Sequence, residues 1–213
     1  KEFEDKIAKY CDRKFAVGTN SGTDALYFSL RALNIGVGDE VITTPLSWIA
    51  TVNAIVLTGA KPVFVDIKDD LNINPNLIEE SITDNTKAIL PVHFTGKMCD
   101  MEKINEIADR NNIYVIEDAA QAFGSKFNDR PSGSFGYMSC FSMNPMKVLN
   151  AYGEAGAITT DDKAIYEKLV SLRYAGTVNK EDCYYPSLNG RIDTIQSAML
   201  IVGLKYVNEK INK

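Results

Sequence analysis

Three short segments of this 213-residue chain place side chains where chemistry could occur. In VGTNSGTDAL, a glycine and small hydroxyl residues fall at the opening turn of a helical pattern. Free backbone N–H groups at Gly22, Thr23 and Asp24, backed by the positive end of the helix dipole, would make a phosphate site. The plainer reading is Ser21 as an ordinary N-cap, and Asp24 opposes an anion unless its carboxylate turns away. In IYVIEDAAQAFG, an apolar run ends in two acids. Asp118, at the C-terminal end of a parallel strand, lies where open α/β sheets bind ligands and could hold a cationic ring nitrogen; the alternative is a cap on the following turn. Glu117 faces the other way by the two-residue period of a strand. In CFSMNPMKVLNAYGEAG, Lys147 is either a solvated surface residue or a Schiff-base lysine, which needs a neutral amine and partial burial. Ser142, at the end of the strand before it, has a hydroxyl that could meet a phosphate.

The order of these parts narrows the chemistry. Pyridoxal phosphate needs an anion site for its phosphate, a stacking partner for its ring, a carboxylate for its pyridine nitrogen and a lysine for its aldehyde. Trp48, in TPLSWIAT, is the candidate ring partner, against the simpler reading of a core aromatic. His93, the one histidine, lies in PVHF near a strand end and reads as a satisfied core or supporting histidine without a catalytic role. No metal-ligand spacing is present, so no metal is expected.

These residues must be positioned by a scaffold of stacked βα units. Strands are expected at KFAVGT, EVITTP, KPVFVDI, KAILPVHF, IYVIEDA, YMSCFSM and GAITTD. MEKINEIADRNN sets Met101, Ile104, Ile107 and Ala108 on one helical face, and DKAIYEKLVSLR does so with Ile165, Leu169 and Leu172. SGTDALYFSLRALN is apolar almost all round and is expected to be buried on most sides, with a second subunit as one source of cover. RIDTIQSAMLIVGLKYVNEKINK carries Ile192, Ile195, Met199, Val202 and Tyr206 at near-heptad spacing and predicts one long helix leading out of the domain. The fold expected is a three-layer α/β/α sandwich on a mainly parallel sheet, with residues 1–190 forming the large domain and 191–213 leading toward a smaller C-terminal domain outside this chain.

Composition agrees with a packed domain: 45% hydrophobic and 24% charged residues exclude disordered, collagen-like and coiled-coil chains. A net charge of -5 and a pI near 5.0 leave no basic footprint for nucleic acid. Four cysteines without a C-x-x-C pair suit a reducing, cytoplasmic compartment, and AMLIVGL is too short to cross a membrane. The chain begins at Lys1 and stops within a helical pattern, which reads as a piece of a longer protein.

Across nearly its whole length the sequence resembles the DegT/DnrJ/EryC1/StrS sugar aminotransferases, a branch of the fold-type I pyridoxal-phosphate enzymes with an aspartate aminotransferase-like large domain. NSGTDAL, GVGDEVITTP, ATVNAI, GAKPVFVDI, TKAILPVH, VIEDAAQAFG, CFSMNPMK, GEAGAITT and NGRIDTIQSAML carry the resemblance in the family's order. It implies that Gly22 and Thr23 bind the cofactor phosphate through their backbone, with the Ser142 hydroxyl. It places Trp48 against the pyridine ring, Asp118 on the pyridine nitrogen, Gln121 on the ring's 3-oxygen and Lys147 as the Schiff-base lysine and proton carrier. Asn189 would reach the phosphate of a neighbouring subunit in a homodimer with shared active sites. The implied reaction moves an amino group, with glutamate as donor, to a keto group of a nucleotide-linked deoxy sugar in surface-glycan or related amino-sugar biosynthesis. Rival readings are a pyridoxamine-dependent sugar dehydratase, against which Lys147 argues, and a regulatory member without catalysis. Asn144, where the family often has His, and Ala155, in its Gly-Glu-Gly-Gly segment, depart from the pattern.

Overall fold

The computed structural model describes residues 1–212. All seven expected strands form one sheet: β1 (Phe15–Thr19), β2 (Glu40–Thr43), β3 (Lys61–Phe64), β4 (Thr86–Ile89), β5 (Tyr114–Asp118), β6 (Met138–Ser142) and β7 (Gly156–Thr160). Their order is β1-β7-β6-β5-β4-β2-β3. The five strands from β6 to β3 run parallel, and β7 runs antiparallel to both β6 and β1. Short two-stranded ladders at 126–131 and 177–183 lie outside the sheet.

Side chains alternate between two helical layers, as the strand period requires. Val17, Val41, Ala88, Ile116, Cys140 and Ile158 pack against α2 (Gly22–Ala32), α3 (Ile49–Thr58) and α5 (Lys163–Leu172). Their neighbours face the other way: Ala16, Phe141 and Ala157 pack beneath α1 (Glu2–Tyr10), and Ile42, Ile89 and Val115 beneath α4 (Met101–Asn111). The result is the three-layer sandwich with a mainly parallel sheet that the patterning predicts. In α4 the buried residues are Met101, Ile104, Ile107 and Ala108, and Asp100 caps its start by accepting the Lys103 N–H.

Two expectations change. The α2 helix is buried, but α3, α5 and strands β6 and β7 of its own chain cover it, so its apolar character needs no second subunit. The C-terminal segment is not one long helix: α6 (Thr194–Leu204) stops at Lys205–Tyr206, and α7 (Val207–Ile211) follows. Leu200 and Val207 are the residues buried there, against the α1 side of the sheet, whereas Ile195, Met199, Val202 and Tyr206 are exposed. The α3 helix has no clear sequence signal, because IATVNAIVLT is rich in β-branched and apolar residues with little polar contrast.

Candidate active site

Strand ends bring the candidate residues together at the carboxyl edge of the parallel strands. Ser21 has the extended backbone of an N-cap, and its Oγ accepts the Asp24 N–H at 3.0 Å. The first-turn N–H groups of Gly22 and Thr23 have no intrahelical acceptor, so the Ser21 cap takes the Asp24 N–H and leaves these two donors open. A methyl group on Gly22 would come within 2.6 Å of Ser142 Cβ, and one on Gly156 within 2.3 Å of the Ser21 carbonyl oxygen. Glycine is required at both positions because the β1–α2 turn presses onto the ends of β6 and β7. Asp24 is turned toward the 189–190 segment, its Oδ2 lying 3.3 Å from where a Cβ on Gly190 would sit, and burial raises its pKa.

Asp118 ends β5 and is buried. Its Oδ2 accepts the Thr51 hydroxyl at 2.8 Å, and its Oδ1 accepts the Ala120 N–H at 3.2 Å, so it does cap the following turn. Burial pushes the carboxyl up from its ordinary value, against the pull of the Thr51 and Ala120 hydrogen bonds and of the nearby Lys147. Lys147 closes a turn through its N–H on the Asn144 carbonyl and donates from Nζ to Gln121 Oε1 at 2.9 Å. The lysine is partly buried, and desolvation lowers its pKa while Asp118 and Glu154 oppose that shift. It is therefore not a freely solvated surface residue.

Trp48 is 77% exposed at the N-terminus of α3, which removes the reading of a core aromatic. His93 is fully buried; its Nδ1 accepts the Cys99 N–H, so the ring proton lies on Nε2, 3.2 Å from Glu117 Oε2. Glu117, facing away from Asp118, also accepts from the backbone N–H groups of Gly133, Phe135 and Gly136 and from the Ser139 hydroxyl. Burial alone would raise this carboxyl, but its donors outweigh that and hold it down at about 2. Asn144 donates to Glu154 at 2.6 Å, joining the two ends of the loop that carries Lys147.

Asn189 is exposed, in the segment whose Gly190 carbonyl accepts the Asn20 N–H at 2.8 Å. It pairs with Tyr174, and its Oδ1 accepts from Arg191 Nε at 3.1 Å. The sequence reading passed over Ser47 and Thr51, whose hydroxyls lie 2.6 Å apart behind Asp118. The signal available was their place beside Trp48 and within ATVNAI. Among the described residues no group of His, Cys, Asp and Glu is arranged to hold a metal, and no helix is long and apolar enough to cross a membrane.

The model of the DegT/DnrJ/EryC1/StrS aminotransferase family matches residues 1–213. A "Pleiotropic regulatory protein" of Geobacillus stearothermophilus is 43% identical over 98% of this chain and 56% of its own length. The dTDP-3-amino-3,6-dideoxy-alpha-D-galactopyranose transaminase of Aneurinibacillus thermoaerophilus is 44% identical over 98% of this chain and 58% of its own. The crystal structure of S. venezuelae DesV in complex with a ketimine intermediate superposes with a TM-score of 0.95 at 40% identity, covering 98% of this chain and 56% of that one. The chain thus spans little more than half the length of these relatives.

Proposed function

Because the chain belongs to the DegT/DnrJ/EryC1/StrS aminotransferase family, we propose that it is the cofactor-binding part of a pyridoxal-phosphate-dependent aminotransferase acting on a nucleotide-linked keto sugar, with glutamate as amino donor. The observation that carries this reading is the convergence of a glycine-lined helix turn, a buried acid and a partly desolvated lysine at one sheet edge. The residues fit the cofactor: at Gly22 any side chain would fill the cradle formed with Ser142, and the first-turn N–H groups match a phosphate. Pyridoxal phosphate, when bound, supplies an electron-withdrawing ring and an aldehyde that accepts a primary amine.

The chain's own residues do the remaining work. Gly22, Thr23 and Ser142 hold the phosphate, and Trp48 covers one face of the ring from the N-terminus of α3. Asp118 keeps the pyridine nitrogen protonated, which requires its carboxylate to stay ionised despite burial. Gln121, already hydrogen-bonded to Lys147 Nζ, binds the ring's 3-oxygen. Lys147 is the covalent anchor; its lowered pKa favours the neutral amine that can carry a proton to and from the substrate carbon. Retention of Lys147 disfavours the dehydratase reading, and the joint placement of Lys147, Asp118 and Ser142 disfavours a purely regulatory role despite the regulatory relative.

Residues 1–190 form the large domain in this reading, with the segment from 191 onward leading toward a smaller C-terminal domain. Exposed Ile49, Val56 and Leu57 on α3 and Ile195, Met199 and Val202 on α6 support a homodimer, in which Asn189 serves the partner's phosphate site. Four free thiols suit a reducing cytoplasm. The test is the visible absorbance of the full-length protein with pyridoxal phosphate, before and after glutamate. Wild type should show a visible band that glutamate bleaches, and Lys147→Ala should lack the band and the cofactor fixed by borohydride. An unchanged band and retained fixation in the variant would overturn the assignment.

A further inference from the structure

Burial works against the role given to Asp118, since a fully desolvated carboxyl tends toward its neutral form and a neutral acid cannot balance a ring cation. We infer that Thr51, oriented by Ser47, is a positioning residue that keeps Asp118 ionised and fixes the direction of its carboxylate. This rests on the cofactor reading above.

The geometry sets the direction of every proton. Thr51 is 1% exposed, and its single hydroxyl proton points at Asp118 Oδ2, 2.8 Å away. A hydroxyl that donates there can only accept from Ser47, whose Oγ lies 2.6 Å from Thr51 Oγ1, so the row runs Ser47 to Thr51 to Asp118. The other oxygen, Oδ1, is tied to the Ala120 N–H. Asp118 is thus braced by α3 on one side and by its own turn on the other, and both braces donate to an ionised carboxylate. Thr51 lies in the first turn of α3, so the positive end of that helix adds to the effect.

The other titratable groups near Asp118 come from separate elements: His93 follows β4, Lys147 follows β6, and the Cys140 thiol lies within β6. Glu117 precedes Asp118 on β5 but points into the opposite layer. Among the described residues, Thr51 is the side chain that hydrogen-bonds the Asp118 carboxylate. The same helix turn presents Trp48, whose carbonyl accepts the Thr51 N–H at 3.1 Å. One turn of α3 therefore sets both the exposed indole and the buried acid.

The test uses full-length protein loaded with pyridoxal phosphate and compares Thr51→Val, Thr51→Ser and Ser47→Ala with wild type. Two quantities are read: the cofactor dissociation constant, and the midpoint of the visible-band pH titration. Valine keeps the shape of threonine without its hydroxyl. It should weaken cofactor retention about tenfold, the loss expected from one hydrogen bond to a charged group. It should also move the titration midpoint upward by about one pH unit, because a less firmly protonated ring nitrogen lets the lysine-linked nitrogen keep its proton to higher pH. Thr51→Ser should match wild type, and Ser47→Ala should shift both quantities in the same direction by a smaller factor.

Equal impairment in the valine and serine variants would mean that the methyl group matters and not the hydroxyl, which overturns the inference. Wild-type values in Thr51→Val overturn it too. Should Thr51→Val fail to fold, wild-type values in Ser47→Ala have the same force. A wild-type protein that forms no visible band would instead refute the cofactor reading, and this inference with it.

Discussion

Replacing Glu117 by glutamine removes one negative charge from the most heavily hydrogen-bonded side chain near the site. Its Oε1 accepts from Phe135 N, Gly136 N and Ser139 Oγ at 2.9, 2.7 and 2.6 Å, and an amide oxygen could keep all three. Its Oε2 accepts from Gly133 N at 3.1 Å and faces His93 Nε2 at 3.2 Å. In the variant an NH2 group must stand there, donor against donor. His93 cannot relieve the clash by changing tautomer, because its Nδ1 already accepts the Cys99 N–H. Two hydrogen bonds to a charged acceptor are lost in a fully buried place, at roughly 1.5–3 kcal/mol each, so Glu117→Gln should cost about 3 kcal/mol or more.

Denaturant unfolding of the full-length variant measures this cost. The pH dependence gives a second reading. The folded pKa of Glu117 lies below its unfolded value, so its stabilisation is present above the unfolded value of about 4.5 and is lost as pH falls toward 2. Wild type should therefore lose stability across that window more steeply than the variant. A loss under 1 kcal/mol, with an unchanged acid limb, would refute the assigned hydrogen-bond network.

Asp118→Asn should leave the fold intact by circular dichroism while cutting transamination at least ~100-fold, about 3 kcal/mol of lost electrostatic support; near wild-type turnover would remove Asp118 from the site. Lys147→Ala and Asn189→Asp, each inactive alone, should regain activity when their subunits exchange, because one site of the mixed dimer then holds an intact lysine and a partner's intact asparagine. No recovery after independently confirmed exchange would refute the shared site.

The strands were legible because each is a short apolar run closed by turn residues, and period two placed Glu117 and Asp118 on opposite faces. Ser142 and Lys147 could be set near the same sheet edge because both follow from the end of β6. Thr51 could not, since only tertiary packing brings α3 over β5, and IATVNAIVLT shows no clear helical face. The donors to Glu117 were equally hidden: four of them come from residues 133–139, which read as a loop and the start of a strand. The break at Lys205–Tyr206 escaped a reading by spacing because the near-heptad apolar pattern continues past Gly203, the glycine in the last turn of α6 whose carbonyl accepts the Tyr206 N–H.

The edge position of β1 bears on how the site comes into being during synthesis. Among the described residues its neighbour in the sheet is β7, with a single bridge from Thr19 to Arg191, and the adjoining Lys14–Asp161 hydrogen bond joins residues 147 positions apart. A nascent chain that has not yet delivered β7 can assemble the parallel strands and their helices, but it has no partner on which to lay β1. The turn at Gly22 rests on Ser142 and Gly156, so its packing needs β6 and β7 in place. The surface proposed to hold the phosphate thus depends on contacts of very long sequence separation, the kind whose closure is entropically costly early in folding. Cofactor present during translation would stabilise that closure rather than nucleate the domain.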